Sequence, residues 1–545
     1  MTALPNRLRT HLPTHRATRR PTHRPMTLRP LLATALLAAA AATPAQSLSI
    51  AYADAVSSAD PQLNNHAGDR SLALHFWDSL IASRDGGKLE PALAASWKAL
   101  DDKTWEFKLR SDIKWQDGLP FSAEDIVFSL QRARSVPGSV ASYAGALRTV
   151  ESVVAKDAQT VVVRTTVPNP MLPLDLASIY IVSKHVGDKA RTEDYNAGRA
   201  VIGTGPYRLV SHTPGDRSVF ERHPGYWGPK PAWDKVTYRF IANGAARTAA
   251  LLAGDVDVID KVAVTDVDKL RKTPGVGLYT YPGLRVLLLQ PTHRAGPNEF
   301  ILDNAGKPLE KNPLQDLRVR QALNLAINRK GLVDRVLQGT ATEANQWMPR
   351  NTFGHNAEVK DIAYNPEQAR KLLAEAGFPQ GFRISIHVPT DRYPHAPEAV
   401  QAVAQFWTRI GVKTQVEVVP WSVYASRAAK NDYAVSVIAW GNGTGEAGYG
   451  LLQTLASNDP KRGRGINNWG RYSNVHVDKA LDAATEEFDA RRREAIYRHA
   501  AKLVTDDVGH IPLFHYQNIW AAKKGLKVVP LLSDRTTALQ VSAVR

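Results

Sequence analysis

Apolar and polar residues alternate over 105–110: Trp105, Phe107 and Leu109 are interleaved with Glu106, Lys108 and Arg110. A period of two is what a strand with one buried face requires. Asp117-Gly118 then supplies turn chemistry, because glycine accepts positive φ without steric cost. Ser122 is placed to cap a helix, with Asp125 as the returning half of a capping box, and Ile126, Val127, Leu130 and Ala133 fall on one face of that helix. Every polar residue between Trp105 and Ala133 has a local structural task, so the stretch predicts scaffold. From Leu48 onward short strands and helices alternate. Strands are expected over 48–55, 103–110, 160–166 and 234–241, with a glycine turn feeding another at 203–210. Residues 245–259 read as a helix, a glycine stop and a strand, and 317–337 as an amphipathic helix pair. A further helix is expected over 365–378, capped by Asn365, with Pro366 in its first turn and Gly377 as its stop. Residues 382–388, 399–411, 412–420 and 433–440 then run strand, helix, strand, strand. The pattern predicts α/β domains with mixed sheets, and neither an internal repeat nor a low-complexity linker interrupts it.

The chain has 545 residues, which at roughly 100–200 per domain predicts two to four domains. Its net charge of +17 is concentrated at the start: residues 1–46 hold seven arginines and no acid, leaving 62 basic against 52 acidic residues, or +10. Those charges are scattered and lack the aromatic-interleaved basic run of a nucleic-acid groove. Arg29, the apolar run Leu31–Ala42 and the small residues Thr43-Pro44-Ala45 have the three-part layout of a secretory leader, with cleavage expected after Ala45 and Met26 the expected start. No later apolar run reaches the ~20 residues of a membrane span. With no cysteine in the sequence, there is no disulfide, thiolate nucleophile, thiolate metal site or lipid-anchor cysteine. The expectation is an exported, soluble, periplasmic protein. Motifs for a serine elbow, a zinc hydrolase or a P-loop are absent. An exported hydrolase using paired carboxylates is the competing class, but no pair is singled out.

Seven stretches in order carry a resemblance: "LEPALAASWKALDDKTWEFKLRSDIKWQDGLPFSAEDIVFSL", "VIGTGPYRLV", "HPGYWGPKPAWDKVTYRFI", "LLAGDVDVI", "LRVRQALNLAINRKGLV", "YNPEQARKLLAEAGF" and "IPLFHYQNIWA". Over Leu48 to Val529 the chain resembles the large solute-binding receptors of bacterial ABC importers, the dipeptide/oligopeptide/nickel-binding family (extracellular solute-binding protein family 5). The resemblance implies an α/β, two-lobed periplasmic-binding-protein fold of type II (large cluster) with an accessory α/β domain. The expected division is a leader over 1–46, lobe I over 47–83, 199–292 and 508–545, the accessory domain over 84–198, and lobe II over 293–507. It also implies a monomer without cofactor that hands a short peptide or peptide-like carboxylate to an inner-membrane permease with ATPase subunits. A sugar, an opine or a nickel-chelate complex is the alternative ligand.

The same resemblance nominates site residues. Arg392, with Tyr393 beside it, stands where dipeptide-binding relatives hold a carboxylate, a task suited to the two parallel hydrogen bonds of a guanidinium. Trp421 and Trp440 flank the strand over 433–440. Peptide-binding relatives place an aspartate three residues after this tryptophan, to pair with the ligand ammonium; here that position is Gly443. Asn442 and Glu446 are the nearest polar candidates, with Glu446 favoured as the substitute acid. Ser57 and Ser58 lie in a segment corresponding to a crevice loop. His387, His395, His510 and His515 show no metal-ligand spacing and are expected to be satisfied or exposed.

Overall fold

The computed structural model describes residues 46–84, 87–390, 392–441 and 445–544. The leader and its expected cleavage site therefore lie outside the described residues. A mixed sheet of 12 strands organises the chain. One half contains Ser47–Tyr52, parallel to both Lys235–Phe240 and Val258–Ile259, then Arg217–Arg222 and Tyr207–Thr213. The other half contains Val435–Gly441, Arg383–Pro389, its parallel neighbour Lys413–Val419, and the edge strand Ile301–Leu302. Two long antiparallel strands, Val276–Pro291 and Ile511–Lys523, run through both halves. Their pairing is broken between Pro282 and Val286. The first part of Val276–Pro291 leads from the first half, and the part after the break pairs Val435–Gly441 in the second. Each half has its own apolar core. This is a two-lobed periplasmic-binding-protein fold.

A separate antiparallel sheet carries the sequence's most patterned stretch, in the order Ala94–Asp101, Thr104–Leu109, Thr160–Thr165, Val150–Asp157. Trp105, Phe107 and Leu109 are buried as the alternation predicts; Glu106 is buried too, with Lys98 3.8 Å away as its counter-charge. The Ala123–Ala133 helix begins with the predicted capping box, Ser122 N–H donating to Asp125 Oδ2 at 2.9 Å. Ile126, Leu130 and Ala133 are buried, whereas Val127 is only half-buried and Ser129 takes the inward place, donating to the Val182 carbonyl. Gly118 has φ +92° as its turn demands.

One half-buried carboxylate ties two of the resembling stretches together. Asp78 accepts from Thr204 Oγ1 at 2.9 Å and Trp227 Nε1 at 3.0 Å, joining the 201–210 and 223–241 segments. Gly203 and Gly205 lie against the Phe76 backbone, where a Cβ on Gly203 would stand 1.7 Å from its carbonyl oxygen. The helix over Pro366–Glu375 has its predicted Asn365 cap, and Gly377 follows with φ +91°. The expected helix pair over 317–337 is more broken: Leu317–Leu325 is followed by a three-residue helix and a π-helical turn, Leu332–Val336. Arg329 causes this, because its buried guanidinium serves the carbonyls of Asn324, Ala344 and Pro512 and must be turned inward.

Candidate functional site

The break in the crossing strands sets the site's position. Within it Arg285 pairs with Gly441, and its Nη2 lies 3.3 Å from where a Cβ at 441 would stand. Arg285 is exposed and, among the described residues, has neither a hydrogen-bond nor an ion-pair partner. From the other crossing strand Tyr516 donates its hydroxyl to the Pro394 carbonyl at 2.8 Å, tying down the loop after Arg383–Pro389. In that loop Tyr393 is buried and Arg392 exposed. The Arg392 guanidinium carbon lies 5.2 Å over the Trp421 ring, and Trp421 is itself 6.0 Å from both Tyr393 and Tyr424 and 6.3 Å from Trp469. Burial pushes the Tyr393 phenol up, against the opposing charges of Arg392 and Arg285. The Arg392 guanidinium thus lies over an aromatic platform that includes Tyr393, and the Arg285 charge acts on the same phenol.

Acids and a lysine occupy the facing lobe. Lys261, held at φ +43°, bridges Asp54 at 2.7 Å and Asp534 at 3.4 Å. Burial works to raise the Asp534 carboxyl, but the charges of Lys261, Arg285 and Arg535 hold it below its ordinary value. Arg285 is therefore electrostatically coupled to both sides: to Tyr393 on one lobe and Asp534 on the other.

The nominated residues divide. Arg392, Tyr393 and Trp421 meet in one cluster, and Trp440, next to last in the neighbouring strand, has its indole N–H buried without a partner among the described residues. Asn442 and Gly443 lie outside the described residues. Glu446 is 4% exposed and stands at the N-cap position of the Ala447–Thr454 helix, with Oε1 3.2 Å from Arg493 Nε. Burial raises its carboxyl, against the pull of Arg493 and a hydrogen bond with Tyr497. Ser57 and Ser58 are spent locally. Ser57 donates its hydroxyl to Asp69 Oδ2 at 2.7 Å, and buried Ser58 donates to Asn196 Oδ1 at 2.7 Å.

Of the histidines, His387 stacks on Tyr433 at 4.0 Å, His515 lies 3.1 Å from the Trp347 carbonyl, and His510 lies 3.2 Å from the Gln290 amide. Burial pushes them down to about 4, about 4 and about 3, respectively, so they are neutral core groups. Among the described residues no group of three His, Cys, Asp or Glu is placed to hold a metal ion. The enclosed cavity beside Leu288, Trp347 and His510 has about 20 Å³, room for one water rather than a solute.

Arg285, Lys261 and Asp534 are absent from the sequence reading. Arg285 left a signal, as the one charge in the apolar run "GLRVLLLQP". Lys261 and Asp534 left none, since only the fold brings them together. The assembled groups can bind and orient an anionic, partly apolar solute; no nucleophile with an adjoining base is among them.

Residues 88–461 match the family model for bacterial extracellular solute-binding proteins, family 5 (middle region), and the chain belongs to that family. Heme-binding protein A of Haemophilus influenzae is 28% identical over 468 residues, covering 81% of each chain. The dipeptide-binding protein of Escherichia coli is 26% identical over 471 residues, covering 81% of this chain and 84% of its own. Among solved structures, the periplasmic murein tripeptide-binding protein MppA in its unliganded open form superposes with a TM-score of 0.79 at 25% identity, covering 92% of this chain and 98% of the other.

Proposed function

We propose that this chain is the periplasmic receptor of an ABC importer, capturing a short peptide or peptide-like carboxylate between its lobes and delivering it to an inner-membrane permease with ATPase subunits. The observation that carries the reading is Arg392 laid on Trp421 beside Tyr393, with Arg285 at the strand break. A guanidinium on an aromatic face is oriented before the ligand arrives, so less freedom is lost on binding. The family and the dipeptide- and murein-tripeptide-binding relatives support the peptide class, and the likeness to an open form supports closure on the ligand. The leader over 1–46 would export the chain, with cleavage after Ala45.

A second reading rests on Glu446. Its ion pair with Arg493 removes the acid nearest the Gly443 position, and an ammonium buried without a counter-charge is costly. An amine-free carboxylate is thus the alternative, and the heme-binding relative fits that breadth. Calorimetry separates the two: dipeptides and their N-acetylated forms are titrated into mature wild-type protein and Arg392→Ala. Stoichiometric binding without turnover, weakened more than about tenfold by Arg392→Ala, is the expected result. Preference for the acetylated forms selects the second reading, and unchanged affinity in Arg392→Ala removes that residue from the site.

A further inference from the structure

Arg285 is the only charged residue of the Val276–Pro291 strand, and it lies inside the sheet, away from any edge. On one side it pairs with Gly441. On the other, the pairing passes from Pro282 opposite Gln517 to Val286 opposite His515, so that Gly283, Leu284 and Arg285 together face Tyr516 alone. Leu284 and the run Val286–Leu289 are buried, which leaves a regular strand no open side for a charge. The added residues re-aim Arg285, as a bulge does, and it is exposed. Across the pair its Nη2, Cζ and Nε lie 3.3, 3.4 and 3.7 Å from where a Cβ of Gly441 would stand. The guanidinium is therefore laid over the neighbouring strand, in space that a side chain at 441 would take.

Tyr516, across the break, donates its hydroxyl to the Pro394 carbonyl at 2.8 Å, two residues beyond Arg392, and the Arg392 guanidinium carbon lies 5.2 Å over Trp421. Neighbouring strands run about 4.8 Å apart, so one tyrosine side chain ties the Arg392 loop to the strand beside Arg285. The Arg285 charge accordingly reaches the Tyr393 phenol. Asp54 and Asp534 are engaged by Lys261 at 2.7 and 3.4 Å, and Glu446 lies 3.2 Å from Arg493. Among the described residues Arg285 itself has neither a hydrogen bond nor an ion pair. An unpartnered arginine at a sheet edge is a solvated surface group. One at the centre of a sheet, with its fork set against a glycine backbone, presents two parallel donors to a carboxylate and gives up little freedom in binding it.

We propose that Arg285, given its place by Gly441 and the strand break, binds a second anionic group of the solute, a carboxylate additional to the one held by Arg392. The ligand class rests on the receptor reading above; the anion site at Arg285 does not. The experiment has two arms. In the first, crystals of the unliganded protein are soaked in bromide. Anomalous scattering is expected to place an ion against the Arg285 guanidinium, lost in Arg285→Gln and displaced in Gly441→Val. An empty site in the wild type, or an ion that persists in Arg285→Gln, overturns the anion site. In the second arm, calorimetry compares tripeptides with a free C-terminus that differ only by glutamate or glutamine at one position. The wild type is expected to prefer one glutamate peptide by about tenfold. That ratio is expected to fall to about twofold or less in Arg285→Gln and to shrink in Gly441→Val. Equal binding of acid and amide by the wild type, or a ratio unmoved by Arg285→Gln, overturns the second carboxylate. A ratio lost in Arg285→Gln but unmoved in Gly441→Val overturns the part given to the glycine. Bromide at Arg285 with no peptide bound at all overturns the peptide reading and leaves the anion site standing.

Discussion

Asp175 shows how a single buried carboxyl sets the pH response of this fold. It lies on the Leu172–Leu176 helix with Oδ2 3.5 Å from the Asn169 amide. Burial pushes it up to about 7, only partly opposed by Asn169 and Arg148 and aided by the negative charge of Glu446. An acid whose folded pKa lies above its unfolded value of 3.8 binds its proton more tightly when folded. Its contribution is complete below that value and is lost as the pH rises through about 7. Asp175→Asn should therefore have a higher Tm than wild type at pH 8 and an equal one near pH 4, read by calorimetry across that range. Residues of this kind are the least legible in sequence. Glu446 and Arg493 are 47 positions apart, and no local pattern says that they pair. The loop of Arg392 keeps a family pattern that is legible in sequence, whereas the local partners of Ser57 and Ser58 are not, because a hydroxyl that the fold engages looks the same in sequence as one that meets a ligand.

The two crossing strands carry the connection between lobes, and their break is a matter of backbone contact. At Gly283 a Cβ would stand 2.7 Å from the Tyr516 carbonyl oxygen and 2.9 Å from Asn518 Oδ1. Any side chain there has to push the strands apart at the point where their register shifts. Gly283→Ala should destabilise the protein by about 1–3 kcal/mol, measured by urea unfolding. It should also alter the compaction on ligand binding seen by small-angle scattering; unchanged stability would show that the strands yield there freely. Periodicity predicted individual strands and helices well, from the Thr104–Leu109 strand to the Asn365-capped helix. It was silent on the crossing, because one apolar strand that serves two sheet halves has the same pattern as one that serves a single core. It also missed the π-helical turn at Leu332–Val336, which answers to the buried Arg329 and not to hydrophobic spacing.

At the scale of the whole molecule, the seven resembling stretches made the receptor architecture legible, while the contacts between its parts were not. Phe488, between the last two helices of lobe II, reaches across to stack on Trp105 of the separate four-stranded sheet at 5.9 Å. Lobe I is closed by the end of the chain. Trp233 donates to the Val541 carbonyl, Tyr238 to the Thr536 carbonyl and Trp520 to Thr536 Oγ1, while the Ala538 N–H donates to His75 Nε2. Strand Ile511–Lys523 is at once the neighbour of Val258–Ile259 and the partner of Val276–Pro291 along both of its parts. This gives the fold an order in time. A ribosome makes the first strand of lobe I some 460 residues before the strand that completes its sheet, and neither half has its full complement until the last 35 residues emerge. A chain terminated after Gly509 should be digested rapidly by protease under conditions where the full chain resists. A nascent chain therefore carries both halves of its main sheet with open edges until Ile511–Lys523 has emerged.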